Sequence, residues 1–231
     1  MTAAPKKKDL PHYTGHRQRL RERFLKNPDS LPDYELLEML LFASNPRGDT
    51  KPLAKELIKQ FDNLAGVLNA SVVELEKIKG MGESAIGAIK TAQVCGIRML
   101  QQQVINKPVI SSWKELLDYC YAKMAHRKTE EVRILFLDSK NQLIADEQSQ
   151  EGTIDHAPVY AREIVKRALE LHASAIIMVH NHPAGDPEPS REDVSITKTV
   201  QKALASVDIE LHDHLIIGRE GHKSLKSSGI I

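Results

Sequence analysis

Residues 175–193 read AIIMVHNHPAGDPEPSRED and predict a strand, a loop and a helix in that order. The first five residues are apolar and mostly β-branched, which is typical of a short buried strand. Three prolines and a glycine after the second histidine indicate a loop. Ser190 stands three positions before an acidic residue, and this capping-box pattern predicts that a helix begins there.

The polar residues of this stretch form a candidate metal site. His180 and His182 leave the strand on one side, because alternate residues of an extended chain share a face, while Asn181 points away. Asp193 falls in the first helical turn, where the folded loop could return it to the imidazoles. Two imidazoles and a carboxylate are a ligand set for catalytic zinc, with the fourth position left for water. Because zinc makes hydroxide available near neutral pH, the pattern favours hydrolysis of an amide-like bond.

Each part of this pattern also has an ordinary structural explanation. A His-x-His pair at a strand end is common, and helix capping fully explains Ser190 and Asp193 without any metal. A rival pair, His212 and His214, would share a strand face, but no third ligand follows it at a fixed spacing. For Asp213 and His214 we expect a role behind the ligands or in the core.

The joint pattern is more specific: His-x-His, seven residues, Ser, two residues, Asp. It resembles the JAMM motif of MPN-domain metalloproteases. Further short motifs are similar to those of the bacterial RadC family over roughly residues 30 to 231. These motifs are Glu130 ahead of 132–137, Gly152-Thr153, Arg162-Glu163, the histidine motif with Pro183, Glu188-Pro189-Ser190 and Asp213-His214. One departure is Ala161, where the family often has proline before the Arg-Glu pair.

The resemblance implies a role for each site residue. His180, His182 and Asp193 would hold one zinc ion per chain. Glu130 would be the general acid/base that acts on the zinc water, and Ser190 would help to stabilise the oxyanion.

The choice of Glu130 depends on the resemblance, because the sequence alone favours it no more than Glu131. If the strand begins at Val132, alternation places the two carboxylates on opposite faces.

Strands and helices alternate after residue 108, which predicts an α/β domain with a mixed sheet covered by helices. The strands are predicted at 132–137, 142–151, 175–179 and 209–217, and the helices at 158–172 and 190–205. The resemblance implies an MPN (JAMM, cytidine-deaminase-like) domain at 108–231. Ahead of it we expect a basic arm and helix at 1–26, an all-α helix-hairpin-helix-like domain at 27–105, and a short linker.

The helical domain contains one informative turn. Gly80-Met81-Gly82 lies between two short apolar-faced helices and resembles the helix-hairpin-helix motif, in which glycines let backbone N–H groups face a DNA phosphate. Three lysines could add charge around the turn: Lys77, Lys79 and Lys90. A purely structural helical hairpin, or a protein-interaction module, fits the same residues.

Charge and composition bound the partners and the compartment. Residues 1–26 carry eight basic and two acidic side chains, so they could hold phosphates or could form a solvated tail. The two cysteines, Cys95 and Cys120, form no Cys-x-x-Cys pair, which argues against a cysteine zinc site and a disulfide framework. Because no long apolar run or signal-like segment occurs, we expect a cytoplasmic protein without a membrane partner.

The sequence therefore predicts a JAMM-type zinc hydrolase that cleaves a peptide or isopeptide bond, in a RadC-like protein associated with DNA repair. The alternative is a DNA-binding repair or recombination accessory protein, whose metal site is structural or vestigial. In that case the possible DNA contacts, through Gly80, Gly82 and the basic arm, would carry the function.

Overall fold

The computed structural model describes residues 15–46, 48–151 and 160–231. The chain separates into two compact units, of which the first ends at Val94 and the second begins at Cys95. Across the described ranges, no helix combines the length and the apolar character that crossing a membrane requires.

The described part of the first unit contains helices and turns but no strand, which confirms the prediction of an all-α N-terminal region. The helices are α1 (His16–Lys26), α2 (Asp33–Leu41), α3 (Lys51–Phe61), α4 (Leu64–Asn69), α5 (Val72–Glu76) and α6 (Glu83–Val104), the last of which continues into the second unit. Their apolar faces enclose a core to which α2, α3 and α6 contribute Leu37, Leu57 and Ile89, all fully buried.

Part of the basic charge of α1 has intramolecular partners. Arg17 donates to backbone carbonyls beyond the end of α2, including that of Asn45. Arg23 pairs with the buried Glu35 of α2 at 2.9 Å. These two arginines therefore hold α1 against α2, and they are less available to an external phosphate than the sequence suggested. Of the predicted basic arm, residues 1–14 lie outside the described residues.

The turn between α5 and α6 contains the glycines that the sequence singled out. Gly80 has φ +95°, a conformation that favours glycine, whereas a Cβ on Gly82 would meet no atom within 4 Å. Met81 between them is buried. Lys90 donates to the carbonyl of Leu68 at 3.0 Å, so its ammonium is engaged inside the unit.

The second unit is a five-stranded mixed sheet with helices packed on it, as predicted. After helix α7 (Trp113–Met124) come β1 (Glu131–Leu137), β2 (Leu143–Glu151), α8 (Ala161–Glu170), β3 (Ala175–Asn181), α9 (Arg191–Ala205), β4 (Glu210–Gly218) and β5 (Gly221–Ser224). The strand order is β2-β1-β3-β4-β5. β3 and β4 are parallel, and the other neighbouring pairs are antiparallel. The four-residue β5 was not predicted, because its sequence GHKS has no apolar alternation.

Both faces of the sheet are covered, which explains why its central strands are apolar almost throughout. On one face Leu135 and Ile177 belong to the core that α7 covers. On the other face Phe136 and Met178 belong to a core that α8 and α9 cover.

The segment expected to be a linker is tied to the sheet domain. The backbone N–H of Asn106 donates to the carbonyl of Leu143 at 3.1 Å, and that of Val109 donates to Asn141 at 2.8 Å. Both acceptors belong to the β1–β2 hairpin, so the chain joins the second unit before α7 begins. The start of the helix predicted from residue 158 lies outside the described residues, and the observed helix begins at Ala161.

A buried cluster of charges joins α7 to β1 and β2. The Asp146 carboxylate of β2 lies 2.6 Å from Lys123 Nζ and 2.7 Å from Arg133 Nε, and it accepts the Tyr119 hydroxyl. Burial acts to raise the pKa of Asp146, but the adjacent Arg133 and Lys123 charges prevail and hold this pKa below its usual value.

We expect Asp146→Asn to destabilise the second unit by about 3–5 kcal/mol, because it removes the buried carboxylate that Lys123 and Arg133 share and leaves only Arg133 with a second one, that of Glu131. The pKa of Asp146 is lower in the folded than in the unfolded protein. Its contribution is therefore complete above about pH 4 and is lost as the pH falls through the folded value. Urea unfolding at several pH values measures the difference between variant and wild type.

Asp118→Asn is the matched control, because its 2.7 Å pair with Lys114 on α7 is exposed. Equal losses of unfolding free energy in the two variants would show that the buried cluster stabilises the protein no more than an exposed ion pair does.

Candidate metal centre

The end of β3 and the start of α9 bring three predicted ligands together. His180 is the penultimate residue of β3 and is buried, His182 follows the strand, and Asp193 lies in the first turn of α9. One potential ligand atom from each side chain lies within 4.8 Å of the others. The loop thus returns the carboxylate to the two imidazoles, as the sequence predicts.

The carboxylate bridges the two imidazoles. Asp193 Oδ1 lies 3.1 Å from His180 Nδ1, and Oδ2 lies 3.4 Å from His182 Nε2. Burial favours the neutral acid, but the contacts with the two histidines and Ser190 hold the pKa of Asp193 well below its usual range. The site therefore presents an ionised carboxylate beside two nitrogen donors.

Both histidines bind protons more tightly here than in water. For His180, burial acts to lower the pKa, but contacts with Asp193 and Glu130 raise it to about 9. For His182, the hydrogen bond to Asp193 raises the pKa. The carboxylates that favour an imidazolium also favour a divalent cation, so the donor set fits a metal that competes with protons.

The orientation of His182 supports this fit. Its Nδ1 lies 2.8 Å from the carbonyl oxygen of Asp186, which can only accept a hydrogen bond. Nδ1 must therefore carry the proton when the ring is neutral, and Nε2 carries the lone pair. A backbone carbonyl on one ring nitrogen is the usual means by which a protein orients a metal-binding histidine.

Ser190 caps α9, as its sequence context predicts. Its Oγ accepts the N–H of Asp193 at 3.1 Å, and its own N–H donates to Asp193 Oδ2 at 2.7 Å. The capping explanation is therefore correct, and it is compatible with a site, since the same carboxylate still contacts both imidazoles. The Ser190 hydroxyl keeps its proton for another acceptor.

The loop after the histidines is fixed against the β4–β5 hairpin. A Cβ at Gly218 would lie 2.0 Å from the carbonyl oxygen of Gly185, so no larger residue fits there. That oxygen also accepts the N–H of Glu220 at 3.3 Å, and the N–H of His182 donates to Ile217 at 2.9 Å. These contacts set the position of the carbonyl that orients His182.

Glu130 lies at the site, and Glu131 does not. Glu130 Oε1 is 2.6 Å from His180 Nε2. Glu131 is buried on the other side, where it pairs with Arg133 at 2.6 Å. The structure thus separates the two carboxylates as strand alternation predicts, and it places the one that the family resemblance selects beside the imidazole.

Asn181, for which the sequence predicts no role, is fully buried. Its Oδ1 accepts the N–H of Glu131 at 2.7 Å, and its Nδ2 donates to the carbonyl of Thr129 at 3.1 Å. The side chain points away from the histidine site, as predicted, but it contacts the backbone on both sides of Glu130. The one indication of these backbone contacts in the sequence is a polar amide at the end of an otherwise apolar strand, because such an amide needs hydrogen-bond partners when it is buried.

His214 packs behind the ligands. Its ring stacks on that of His180, with centroids 6.0 Å apart, and its Nδ1 lies 2.6 Å from Thr197 Oγ1. Burial lowers the pKa of His214 to about 3, so the ring is neutral. Asp213 instead accepts the hydroxyl of Ser224 at 2.6 Å. Within the described chain, the potential metal-binding group contains neither residue of the rival His212 and His214 pair.

We expect Gly218→Ala to weaken binding of a divalent metal ion by about 10- to 100-fold, because the added Cβ must displace the loop that orients His182. Competition with a chromophoric chelator measures the dissociation constant. Gly96→Ala is the control, since its Cβ would meet no atom within 4 Å, and it should bind the metal ion like the wild type. Wild-type affinity in Gly218→Ala would contradict the role of this close approach.

Two family models match the chain. One is described as a RadC-like JAB domain and matches residues 110–230, which are more than half of the chain and contain the whole histidine and carboxylate cluster. The other is described as UPF0758 N-terminal and matches residues 12–86, within the helical unit. The sequence resemblance is thereby confirmed, and the chain belongs to the RadC family, with a JAB domain of the MPN type at its C-terminal end.

Proposed function

We propose that this chain is a zinc-dependent hydrolase of the JAMM type that cleaves a peptide or isopeptide bond. The observation that carries the proposal is the Glu130 carboxylate, which lies 2.6 Å from a ring nitrogen of His180 in the cluster with His182 and Asp193. Three protein ligands with a neighbouring carboxylate are typical of a catalytic zinc site, whereas structural sites usually have four protein ligands.

The identity of the metal follows from the donor atoms. Imidazole nitrogens and one carboxylate suit zinc, while the oxygen-rich sites of magnesium and calcium use few or no nitrogens. A zinc ion held by His180, His182 and Asp193 supplies Lewis acidity toward a carbonyl oxygen and toward water.

In the proposed reaction Glu130 moves the proton. Its carboxylate accepts a proton from the attacking water and then gives it to the amine that leaves, so the proton count balances over one turnover. Its side chain is 17% exposed, which leaves it access to a water and a substrate. Ser190 is exposed and already accepts the capping N–H, so its hydroxyl proton can stabilise the oxyanion of the tetrahedral intermediate.

We expect Glu130→Gln to keep its zinc and to lose turnover by about 10²–10⁴-fold, because the amide cannot accept the proton. His182→Ala should lose both zinc and turnover. Elemental analysis gives the metal content, and a panel of peptide and isopeptide substrates with and without chelator gives the activity.

His212→Ala is the matched control, a partly buried histidine of β4 outside the ligand group. It should retain zinc and activity. Unchanged zinc content in a His180→Ala/His182→Ala double variant would remove the site assignment.

A second function, contact with the DNA backbone, is favoured by the conformation of the turn before α6. Gly80 is exposed and has a positive φ, as a turn that presents backbone N–H groups to a phosphate requires. The neighbouring Lys77 and Lys79 are exposed as well. Under this proposal the chain is a repair or recombination accessory protein, and the metal site need not be catalytic.

We expect Gly80→Ala to weaken binding to branched or linear DNA in a gel-shift assay at physiological salt, because alanine is strained at φ +95°. Gly82→Ala should have a smaller effect, since its Cβ has free space and no positive φ. An absence of binding in the wild type, or equal binding by all three proteins, would exclude the hairpin as a DNA contact.

A further inference from the structure

The side-chain amide of Asn181 extends the pairing between β1 and β3. The antiparallel ladder pairs Val132 with His180, so the next position would set Glu131 opposite Asn181. There the backbone ladder ends, and the amide makes both hydrogen bonds to the β1 chain instead. Its oxygen accepts at 2.7 Å from Glu131, and its nitrogen donates at 3.1 Å to Thr129.

These two bonds bracket one residue, Glu130. Its backbone lies between an N–H and a carbonyl that are both held by a fully buried side chain. The chain can therefore neither slide nor rotate there without breaking a buried hydrogen bond. A shift of one residue would exchange the faces of the two adjacent carboxylates and would turn Glu131 toward His180.

We propose that Asn181 is a positioning residue that selects Glu130, and excludes Glu131, as the carboxylate facing the metal centre. This inference rests on the proposed function, because it assigns Asn181 the task of placing the proposed proton carrier. Asparagine suits the task because its side chain offers an acceptor and a donor at once. Neither alanine nor serine can reach both backbone groups.

The stacked His214 gives no such selection. It contacts the ring of His180, its Nδ1 contacts Thr197, and its buried Nε2 has no hydrogen-bond partner among the described residues. Asn181 is distinguished by hydrogen bonds directly to the two neighbours of Glu130.

The first test uses the full-length metal-free protein and the variant Asn181→Ala. We expect the amide of Glu131 to exchange with solvent about tenfold faster, because it loses its acceptor. We also expect the nuclear Overhauser contact between Glu130 and the His180 ring to disappear. Asn63→Ala, which loses the side-chain cap of α4 in the first unit, should change neither signal. Asn181→Ser replaces the alanine variant if that variant fails to fold.

The second test uses the protein loaded with cobalt(II), whose visible spectrum reports on groups close to the ion. Glu130→Gln and Asn181→Ala should change the spectrum in the same way, and the double variant should resemble Glu130→Gln alone. Faster exchange at Glu131 with a wild-type cobalt spectrum and an intact Glu130–His180 contact would overturn the proposal, since Asn181 would then serve folding only.

The outcomes separate this proposal from the proposed hydrolase. If the wild type takes up neither zinc nor cobalt, the hydrolase proposal fails, and the metal-free measurements still decide whether Asn181 places Glu130. If the metal binds and the Glu131 amide exchanges at the wild-type rate in Asn181→Ala, the positioning role of Asn181 is overturned while the metal centre stands.

Discussion

The antiparallel pairing of β1 with β3 is the constraint on which the rest of the centre depends. It sets Val132 opposite His180, and it thereby brings a carboxylate that is fifty residues distant in sequence to the ring of the first histidine. The contacts between Asp193 and the two imidazoles, by contrast, arise locally, within the strand, loop and helix of residues 175–193. The long-range half of the site therefore depends on the register of this strand pair, and a register is strongly specified wherever a face of the sheet is buried. The cores under α7 and under α8 and α9 meet that condition.

The local half of the site could be predicted because its signals are short in range. A run of apolar residues that ends at polar residues indicates a strand end, and prolines indicate a loop. A serine followed three residues later by a carboxylate indicates a helix start. The three potential ligands His180, His182 and Asp193 follow from these signals, and the structure brings them within 4.8 Å. The long-range half could not be predicted in this way. Glu130 and Glu131 have the same chemistry and differ only in the face to which the pleat directs them, so a family resemblance was needed to choose.

Other features escaped the sequence for a different physical reason. Asn181 and Gly218 act through hydrogen bonding and close approach to backbone segments distant in sequence, and neither leaves a periodic pattern. The segment 106–108 has the composition of a linker, but the backbone N–H groups of Asn106 and of the following Val109 pair with the β1–β2 hairpin. Arg17 and Arg23 contribute to a basic stretch that suggests an external partner, while their contacts lie within the helical unit. In each case the deciding partner is a backbone group or a buried charge that becomes a neighbour only after folding.

The carboxylate of Asp193 belongs to two structures at once. Through Oδ2 it accepts the N–H of Ser190 and completes the capping box of α9, and through Oδ1 and Oδ2 it contacts the two imidazoles. A capping box more often uses glutamate or glutamine at this position, and the shorter aspartate draws the reactive end of the side chain back toward the start of the helix. The beginning of the helix and the ion site therefore share a single functional group, so substitution cannot improve either one independently. An asparagine here would keep a hydrogen-bond acceptor for the cap and would lose the charge that attracts a cation, which separates the two demands that one residue now meets.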